Sequence, residues 1–250
     1  MSQRILEILK LMELQTCAMS PCVRLSDESS SLMSLEVPDL RPYFLTFEDL
    51  SPYLADDGFL DWMKVFGNRQ PVELDVGCGR GLFLFNASTS QPERNFLGVE
   101  LDFHEGRRGA KRLSKRNQPN ARVIGENANF LLDKLIKPSS LAAVHVYFPD
   151  PWWKRRHLRR RLFTDLFADR VARVLQPNGL LHFWTDVADY FENVAALLQH
   201  HAAFEKLLAP EERPARNDLD YHTSFERTRR EAGLPIHRGL WQRRTMSCLL

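Results

Sequence analysis

From Pro71 to about residue 205, short apolar runs alternate with longer stretches whose apolar residues recur at helical spacing. The short runs are rich in β-branched and aromatic residues and are apolar on both faces, as expected of strands covered by helices on both sides. The predicted strands are Val72–Val76, Asn95–Glu100, Ala121–Ile124, Ala142–Phe148 and Gly179–Thr185. The predicted helices are Leu82–Ser90, His104–Arg116, Phe130–Ile136, Arg160–Leu175 and Val187–His201. This alternation predicts an α/β fold, with parallel βαβ units in an open, doubly wound, Rossmann-like sheet that carries helices on both faces.

The two ends of the chain lack this regular alternation. Residues 1–40 hold one short amphipathic stretch followed by a serine-rich segment, and we expect them to form an N-terminal extension. Met33 is an alternative start, because a pattern typical of folded protein begins at Leu35. We expect residues 41–250 to form a single domain, although the alternation weakens after residue 205.

The composition is that of a globular protein, with 44% hydrophobic and 26% charged residues. No stretch approaches ~18 uninterrupted apolar residues, and charges interrupt the amphipathic N-terminus, so we expect neither a membrane span nor a signal peptide. A cytoplasmic protein is therefore the expectation. The cysteines show no spacing typical of metal ligands, so we expect free thiols and no metal site. These cysteines are Cys17, Cys22, Cys78 and Cys248.

The net charge of +2 hides an uneven distribution along the chain. Residues 1–70 carry 6 basic and 11 acidic side chains, whereas residues 71–250 carry 28 basic and 21 acidic ones. A region with an excess of charges of one sign gives information about binding partners rather than about the fold. The basic excess of residues 71–250 indicates an anionic partner.

A glycine-rich turn follows the first predicted strand directly. It runs from Asp75 through Gly77 and Gly79 to Gly81, and it opens the first predicted helix. Glycines there allow a tight turn and let backbone amides approach a ligand, although a tight turn without a ligand is the alternative. Glu100 is the last residue of the second predicted strand. In nucleotide-binding sheets of this topology, a carboxylate at that position accepts hydrogen bonds from the ribose hydroxyls.

A polar residue follows the third predicted strand. Asn127, between Glu126 and Ala128, has a side-chain carbonyl that can accept a hydrogen bond from an adenine amino group. An N-cap of the next helix is an equally good interpretation of this asparagine. The glycine turn, the ribose carboxylate and this polar residue together resemble the pattern of class I S-adenosylmethionine-dependent methyltransferases.

The fourth predicted strand ends in Phe-Pro-Asp-Pro-Trp-Trp-Lys, in which Asp150 lies between two prolines. Ligands bind beyond the carboxyl ends of strands in open α/β sheets, and the prolines give Asp150 a rigid backbone. Trp152 and Trp153 can stack on a base or pack beneath the site. A basic run follows at the predicted start of a helix, where cations are unfavourable, so we expect it to face phosphates. Its members are Arg155, Arg156, His157, Arg159, Arg160 and Arg161.

The Pro-Asp-Pro-Trp-x-Lys-x-Arg-His run closely resembles the bacterial tRNA (guanine-N7)-methyltransferases. Thr185-Asp186 and the segment Thr223-Ser-Phe-Glu226 also match, and the resemblance extends over about residues 71–241. It implies S-adenosylmethionine as cofactor and tRNA as partner, with methylation of a guanosine in the variable loop by a monomer or a homodimer. It places these residues at the cofactor, with Asp150 also at the reacting centre: Asp75, Gly77, Gly79, Glu100, Asn127, Ala128 and Asp150. It places these at the substrate nucleotide: Lys154, Asp186, Thr223, Ser224, Phe225 and Glu226.

Two positions depart from the family's pattern. Asp75 stands where the family commonly has Glu, and Asn127 replaces the usual Asp, which removes a charge but keeps an acceptor. Both changes are compatible with cofactor binding.

A second basic surface is predicted on the helix His104–Arg116. Two neighbouring rows at i, i+4 spacing make one face that would grip a tRNA backbone, although a solvated helix is the favoured alternative. The rows are formed by Arg107, Lys111 and Lys115 and by Arg108, Arg112 and Arg116.

Two other functions use the same fold. A nicotinamide-dependent oxidoreductase would carry a GxGxxG turn, which the sequence lacks because its glycines read GxGxG. A non-catalytic RNA-binding protein would have a damaged cofactor pocket, and only Asn127 points in that direction.

Overall fold

A computed structural model of the chain describes residues 39–152, 155–211, 214–215 and 220–245. Within these residues, eight strands form one sheet in the order β1-β4-β3-β2-β5-β6-β8-β7. The strands are β1 (Phe44–Thr46), β2 (Val72–Val76), β3 (Asn95–Glu100), β4 (Ala121–Gly125), β5 (Leu141–Tyr147), β6 (Leu175–Thr185), β7 (Phe204–Leu207) and β8 (His237–Arg243). The five predicted strands are confirmed, and β2 and β3 have the predicted bounds.

Helices cover both faces of this sheet. They are α1 (Trp62–Phe66), α2 (Leu82–Ser90), α3 (Phe103–Lys115), α4 (Ala128–Phe130), α5 (Asp165–Val174), α6 (Ala188–His200) and α7 (Ser224–Glu231). A π-helix at Leu131–Leu135 continues α4, and 3-10 helices occupy Phe47–Tyr53 and Arg155–Arg160. None of the helices in the described part of the chain has the length and apolar character needed to cross a membrane.

The sheet is mostly parallel, with an antiparallel strand near one edge. Strands β1 to β6 run in the same direction, whereas β8 lies antiparallel between β6 and β7. Gly239 and Trp241 are buried at alternate positions of β8, which is the period expected of a strand. The prediction missed β8 because only these two inward positions of a seven-residue strand are fully buried.

The predicted helix Arg160–Leu175 is wrong at its start. Helix α5 begins at Asp165, and the hydroxyl of Thr164 caps it by accepting from the amide of Phe167 at 3.2 Å. A threonine cap satisfies a free amide of the first turn, which fixes the start of the helix at that residue. The arginine run therefore lies in a separate 3-10 helix up to Arg160, with Arg161 directly after it, and the argument that the run opposes the dipole of α5 does not apply.

The order of the strands creates a crevice at the carboxyl end of β2. From β2 the chain proceeds to β3 and β4 on one side, and then returns to β5 and β6 on the other. The loops that leave β2 and β5 consequently turn away from each other, which opens a ligand site between them. The predicted domain start at residue 41 stays a prediction, and residues 1–38, including Met33, lie outside the described residues.

Candidate active site

The glycine turn forms one wall of the crevice and is held by close backbone contacts. Gly77 and Gly79 have φ values of +75° and +50°, which favour glycine because other residues are strained there. The turn packs against α3 at Gly109, where a Cβ atom would lie 3.1 Å from the amide nitrogen of Gly81. Gly109 was missed in the sequence, because a glycine inside a predicted helix does not show which backbone approaches it.

Glu100 is fixed at the end of β3 by two backbone amides. Its Oε2 accepts from the amide of Gly79 at 2.8 Å, and its Oε1 accepts from the amide of Asp102 at 2.9 Å. Each carboxylate oxygen can accept a further hydrogen bond, so the pair remains able to bind two hydroxyl groups. The glycine turn thus holds the carboxylate at the position expected for ribose recognition.

A cavity of about 540 Å³ lies over the carboxyl ends of the central strands. Five of the seven predicted cofactor residues line it, namely Gly77, Glu100, Asn127, Ala128 and Asp150. They come from the ends of four different strands, β2 to β5, and the turns that follow, so the fold brings together residues up to 73 positions apart in sequence. Gly79 and Asp75 are not among the lining residues, although the amide of Gly79 donates to Glu100, which is one of them.

Asp75 is a buried carboxyl group without a protein partner. It is 4% exposed, and it has no hydrogen-bond or ion-pair partner among the described residues. Burial and the charge of Glu100 raise the pKa of Asp75 from 3.8 to about 8. A buried polar group that the protein leaves unpaired requires an explanation, and a ligand that supplies its partner is one.

Asn127 caps the helix that follows β4. Its Oδ1 accepts from the amides of Asn129 at 2.9 Å and Phe130 at 3.4 Å, so the N-cap interpretation is the one that the structure shows. Because these two amides occupy the oxygen, the group that Asn127 offers to a ligand in the cavity is its Nδ2 donor. The expectation that its carbonyl accepts from an adenine amino group is therefore corrected.

The Pro-Asp-Pro loop has a strained backbone on both sides of Asp150. Phe148 and Trp152 have φ values of +50° and +45°, in the left-handed region that non-glycine residues rarely adopt. Each such residue costs on the order of 1–3 kcal/mol, so contacts elsewhere must hold the loop in place. One such contact is the amide of Phe148, which donates to the carbonyl of Trp184 on β6 at 2.8 Å. The loop presents Asp150 exposed at the edge of the cavity.

The arginine run divides into side chains with different surroundings. Arg156 is exposed, and the guanidinium of Arg160 lies 5.1 Å from the centre of the Trp152 ring. The side chain of Arg161 is only 10% exposed and lines the cavity, so it offers little surface to phosphates. Trp153 and Lys154 lie outside the described residues, as do the side chains of Arg155 and Arg159.

The segment Thr223–Glu226 is brought to the Pro-Asp-Pro loop by α7. The hydroxyl of Thr223 caps α7 by accepting from the amide of Glu226 at 2.9 Å, and Ser224 begins the helix. Phe225 is 45% exposed and its ring centre lies 5.1 Å from that of Phe148. The guanidinium of Arg229 lies over one face of the Phe225 ring at 5.0 Å, so at most the other face is available as a stacking surface.

Glu226, the last residue of this segment, and Asp186 are both paired within the protein. Asp186 accepts a hydrogen bond from the guanidinium of Arg229. Glu226 is 1% exposed and accepts from the amide of His222 at 2.6 Å and from Arg230 at 3.3 Å. Burial alone would raise the pKa of Glu226, but the hydrogen bonds from His222 and the charge of Arg230 hold it below its ordinary value. Glu226 thus anchors α7.

The predicted basic face of α3 is only partly free. Arg107 and Arg116 lie over aromatic rings, and Arg108 pairs with Glu105 at 2.6 Å. Arg112 is half-buried, and burial lowers its pKa. These contacts favour the alternative of a structural, solvated helix over a surface that grips RNA.

A buried polar chain behind the site was missed by sequence reasoning. His145 contacts the carboxylate of Glu73 through Nε2 at 2.8 Å and the hydroxyl of Tyr147 through Nδ1 at 2.9 Å. Glu73 also forms an ion pair with Arg94. The signal that could have revealed this chain is the presence of Glu73 and His145 inside strands that are otherwise apolar.

The crevice, the glycine turn and the fixed carboxylate at the end of β3 define a class I S-adenosylmethionine-dependent methyltransferase. The fold agrees with the crystal structure of the 16S rRNA methyltransferase KamB, with a TM-score of 0.56 at 16% sequence identity. That match covers 77% of this chain and 95% of KamB.

Sequence comparisons identify the family within this class. A family described as "Putative methyltransferase" matches residues 69–238. The tRNA (guanine-N(7)-)-methyltransferase of Rhodopirellula baltica is 39% identical over 83% of this chain and 76% of its own length. The enzyme of the same name from Syntrophotalea carbinolica is 40% identical over 67% of this chain and 69% of its own length. The chain belongs to the family of bacterial tRNA (guanine-N7)-methyltransferases.

Proposed function

We propose that this protein transfers the methyl group of S-adenosylmethionine to N7 of a guanine in the variable loop of tRNA. The observation that carries this proposal is the convergence of Glu100, Asn127 and Asp150 on one cavity, in a chain of this family. We expect the protein to act in the cytoplasm, where its tRNA substrate is found.

The residues present suit the proposed cofactor. Glu100 would bind the ribose hydroxyls, and Asn127 would donate to the adenine from its Nδ2. Asp75 would pair with the α-ammonium group of the cofactor, because its buried carboxyl has no other partner among the described residues. When bound, S-adenosylmethionine supplies an electrophilic methyl group on a sulfonium.

The chemistry at guanine N7 requires alignment more than proton transfer. N7 has an in-plane lone pair and no proton, so the reaction needs no general base. Positive charge develops on the purine as the new bond forms, and a carboxylate placed nearby lowers the energy of that state. Asp150 would either accept from the N1–H and N2–H groups of the guanine or offset its developing charge.

The surroundings of Asp150 suit a flipped purine base. Phe225, which contacts Phe148, is exposed, and Trp152, which follows Pro151, is half-buried; stacking on such rings is worth ~1–3 kcal/mol per base. The exposed Arg156 is placed to meet phosphates of the same nucleic acid. From the resemblance, Lys154 and Asp186 would also contact the substrate nucleotide.

A methylation assay tests the proposal. The full-length protein is incubated with methyl-labelled S-adenosylmethionine and bulk tRNA that lacks N7-methylguanosine, and the tRNA is then digested to nucleosides. We expect label in N7-methylguanosine, mapped to the variable loop, and at least ~10²-fold less of it with an Asp150→Ala variant. Label in another nucleoside, or no label from a folded protein that binds the cofactor, would overturn the proposal.

A further inference from the structure

The loop that carries Asp150 has few means of holding its own conformation. Pro149 and Pro151 lack backbone N–H groups, and the loop is flanked by the left-handed residues Phe148 and Trp152. A backbone of this kind keeps its conformation only when side chains from elsewhere restrain it. The groups that contact the loop carbonyls therefore decide where Asp150 is placed.

Arg161 supplies such a contact from ten residues further along the chain. Its Nε donates to the carbonyl oxygen of Pro151 at 2.8 Å, directly after Asp150. Its Nη2 donates to the carboxylate of Asp189 at 3.3 Å, and its guanidinium lies 4.5 Å from the centre of the Tyr190 ring. One planar guanidinium thus joins the loop to two residues of α6.

On α6, Asp189 is exposed, whereas Tyr190 is part of the packed core. Tyr190 is 1% exposed, and its hydroxyl oxygen accepts from the amide of Phe163 at 3.2 Å. The ring of Tyr190 also packs edge-on against Phe183 in β6. Arg161 therefore fixes the position of the loop relative to the packed helix α6.

We propose that Arg161 is a positioning residue, which sets the location of Asp150 through the Pro151 carbonyl and makes no contact with tRNA phosphates. This inference rests on the proposed function and deepens it. A displacement of about 1 Å in a catalytic group can reduce turnover on the order of 10²-fold, so loss of this restraint acts mainly on kcat.

The test compares Arg161→Gln and Arg161→Lys with the wild-type enzyme. We expect kcat for tRNA methylation to fall about 10- to 100-fold in both, with the cofactor Kd and the salt dependence of tRNA binding unchanged. Lysine keeps the positive charge but lacks the planar guanidinium, so it cannot bind the Pro151 carbonyl and the Asp189 carboxylate at the same time. A phosphate contact, by contrast, would accept lysine readily.

Arg244 provides a matched control. Its Nε also donates to a backbone carbonyl, that of Phe204 at 2.9 Å, at the edge of the sheet formed by β7 and β8. Arg244→Gln removes the same type of hydrogen bond in a part of the protein that the mechanism does not use. It should leave kcat, the cofactor Kd and tRNA binding at wild-type values.

A double-mutant cycle separates positioning from general destabilisation. If Arg161 acts through Asp150, adding Arg161→Gln to Asp150→Ala should lower kcat no further, although each single change lowers it strongly. Should Arg161→Gln fail to fold, the same measurements are made on Arg161→Lys and Asp189→Asn. Each of these changes disturbs the contact between Arg161 and Asp189 while keeping a polar side chain.

Three results would overturn the inference. They are a wild-type kcat in Arg161→Lys, a flatter salt dependence of tRNA binding in Arg161→Gln with kcat unchanged, and additive losses in the double mutant. Failure of the proposed function itself would look different, since the wild-type protein would then leave tRNA unmethylated.

Discussion

The unpaired carboxyl of Asp75 should make the stability of the protein depend on pH in an unusual direction. Its pKa is raised from 3.8 to about 8 by burial and by the charge of Glu100. Between these two pH values the folded state holds a proton that the unfolded state has lost. The free energy of unfolding therefore falls as pH rises, by about 1.4 kcal/mol per pH unit from this group.

The magnitude follows from the two pKa values. From pH 5 to pH 8, the loss attributable to Asp75 amounts to about 3–4 kcal/mol, which is a large share of the stability of an ordinary domain. Asp75→Asn removes the titrating group while keeping its size. The variant should therefore gain about 3–4 kcal/mol relative to the wild type as pH rises across this range.

Urea unfolding at pH 5, 6, 7 and 8 measures this difference, with circular dichroism as the signal. Asp56→Asn, on an exposed aspartate, is the matched control and should follow the wild type at every pH. Parallel curves for the wild type and Asp75→Asn would refute the reasoning, because they would mean that Asp75 is ionised in the folded protein. If Asp75 pairs with the α-ammonium group of the cofactor, binding at pH 7 should also release close to one proton, which calorimetry in buffers of different ionisation enthalpy detects.

Four further substitutions test the other parts of the site. Asp150→Ala should lower methyl transfer at least ~10²-fold in a turnover assay while a melting curve shows an intact fold. Glu100→Ala should weaken S-adenosylmethionine binding by about 1.5–3 kcal/mol and leave tRNA binding unchanged, as measured by titration calorimetry with each ligand. Asn127→Ala should lower the free energy of unfolding by about 0.5–2 kcal/mol in urea, because the helix cap is lost. Arg156→Gln should reduce the log–log salt slope of tRNA binding by about 0.7, and an unchanged slope would show that Arg156 meets no phosphate.

The sheet and most of the cavity could be predicted because their causes are local in sequence. Strands β2 and β3 are short apolar runs bounded by turn residues, and their ends carry the glycine turn and Glu100. The carboxyl ends of parallel strands meet at one edge of a sheet, so residues at those ends converge without knowledge of the strand order. For this reason Glu100, Asn127 and Asp150 could be assigned to one cavity before their positions were known.

Features that depend on distant partners could not be predicted in this way. Arg161 stands in a row of arginines that look equivalent in sequence, and its inward direction depends on Pro151 and on Asp189, which is 28 residues away. The insertion of β8 between β6 and β7 likewise depends on pairing across the sheet, which periodicity along one strand does not specify.

Glu73 and Asp75 show how structure separates two residues that the sequence presents alike. Both are buried carboxylates on the same face of β2, two residues apart. Burial alone would raise the pKa of Glu73, but the hydrogen bond from His145 and the charge of Arg94 hold it below its ordinary value. Asp75, one position from the carboxyl end of the strand, receives no such partner among the described residues, and its pKa rises. The fold thus pairs Glu73 with its own residues and leaves Asp75 unpaired beside the cavity. A cationic ligand would supply the partner that Asp75 lacks.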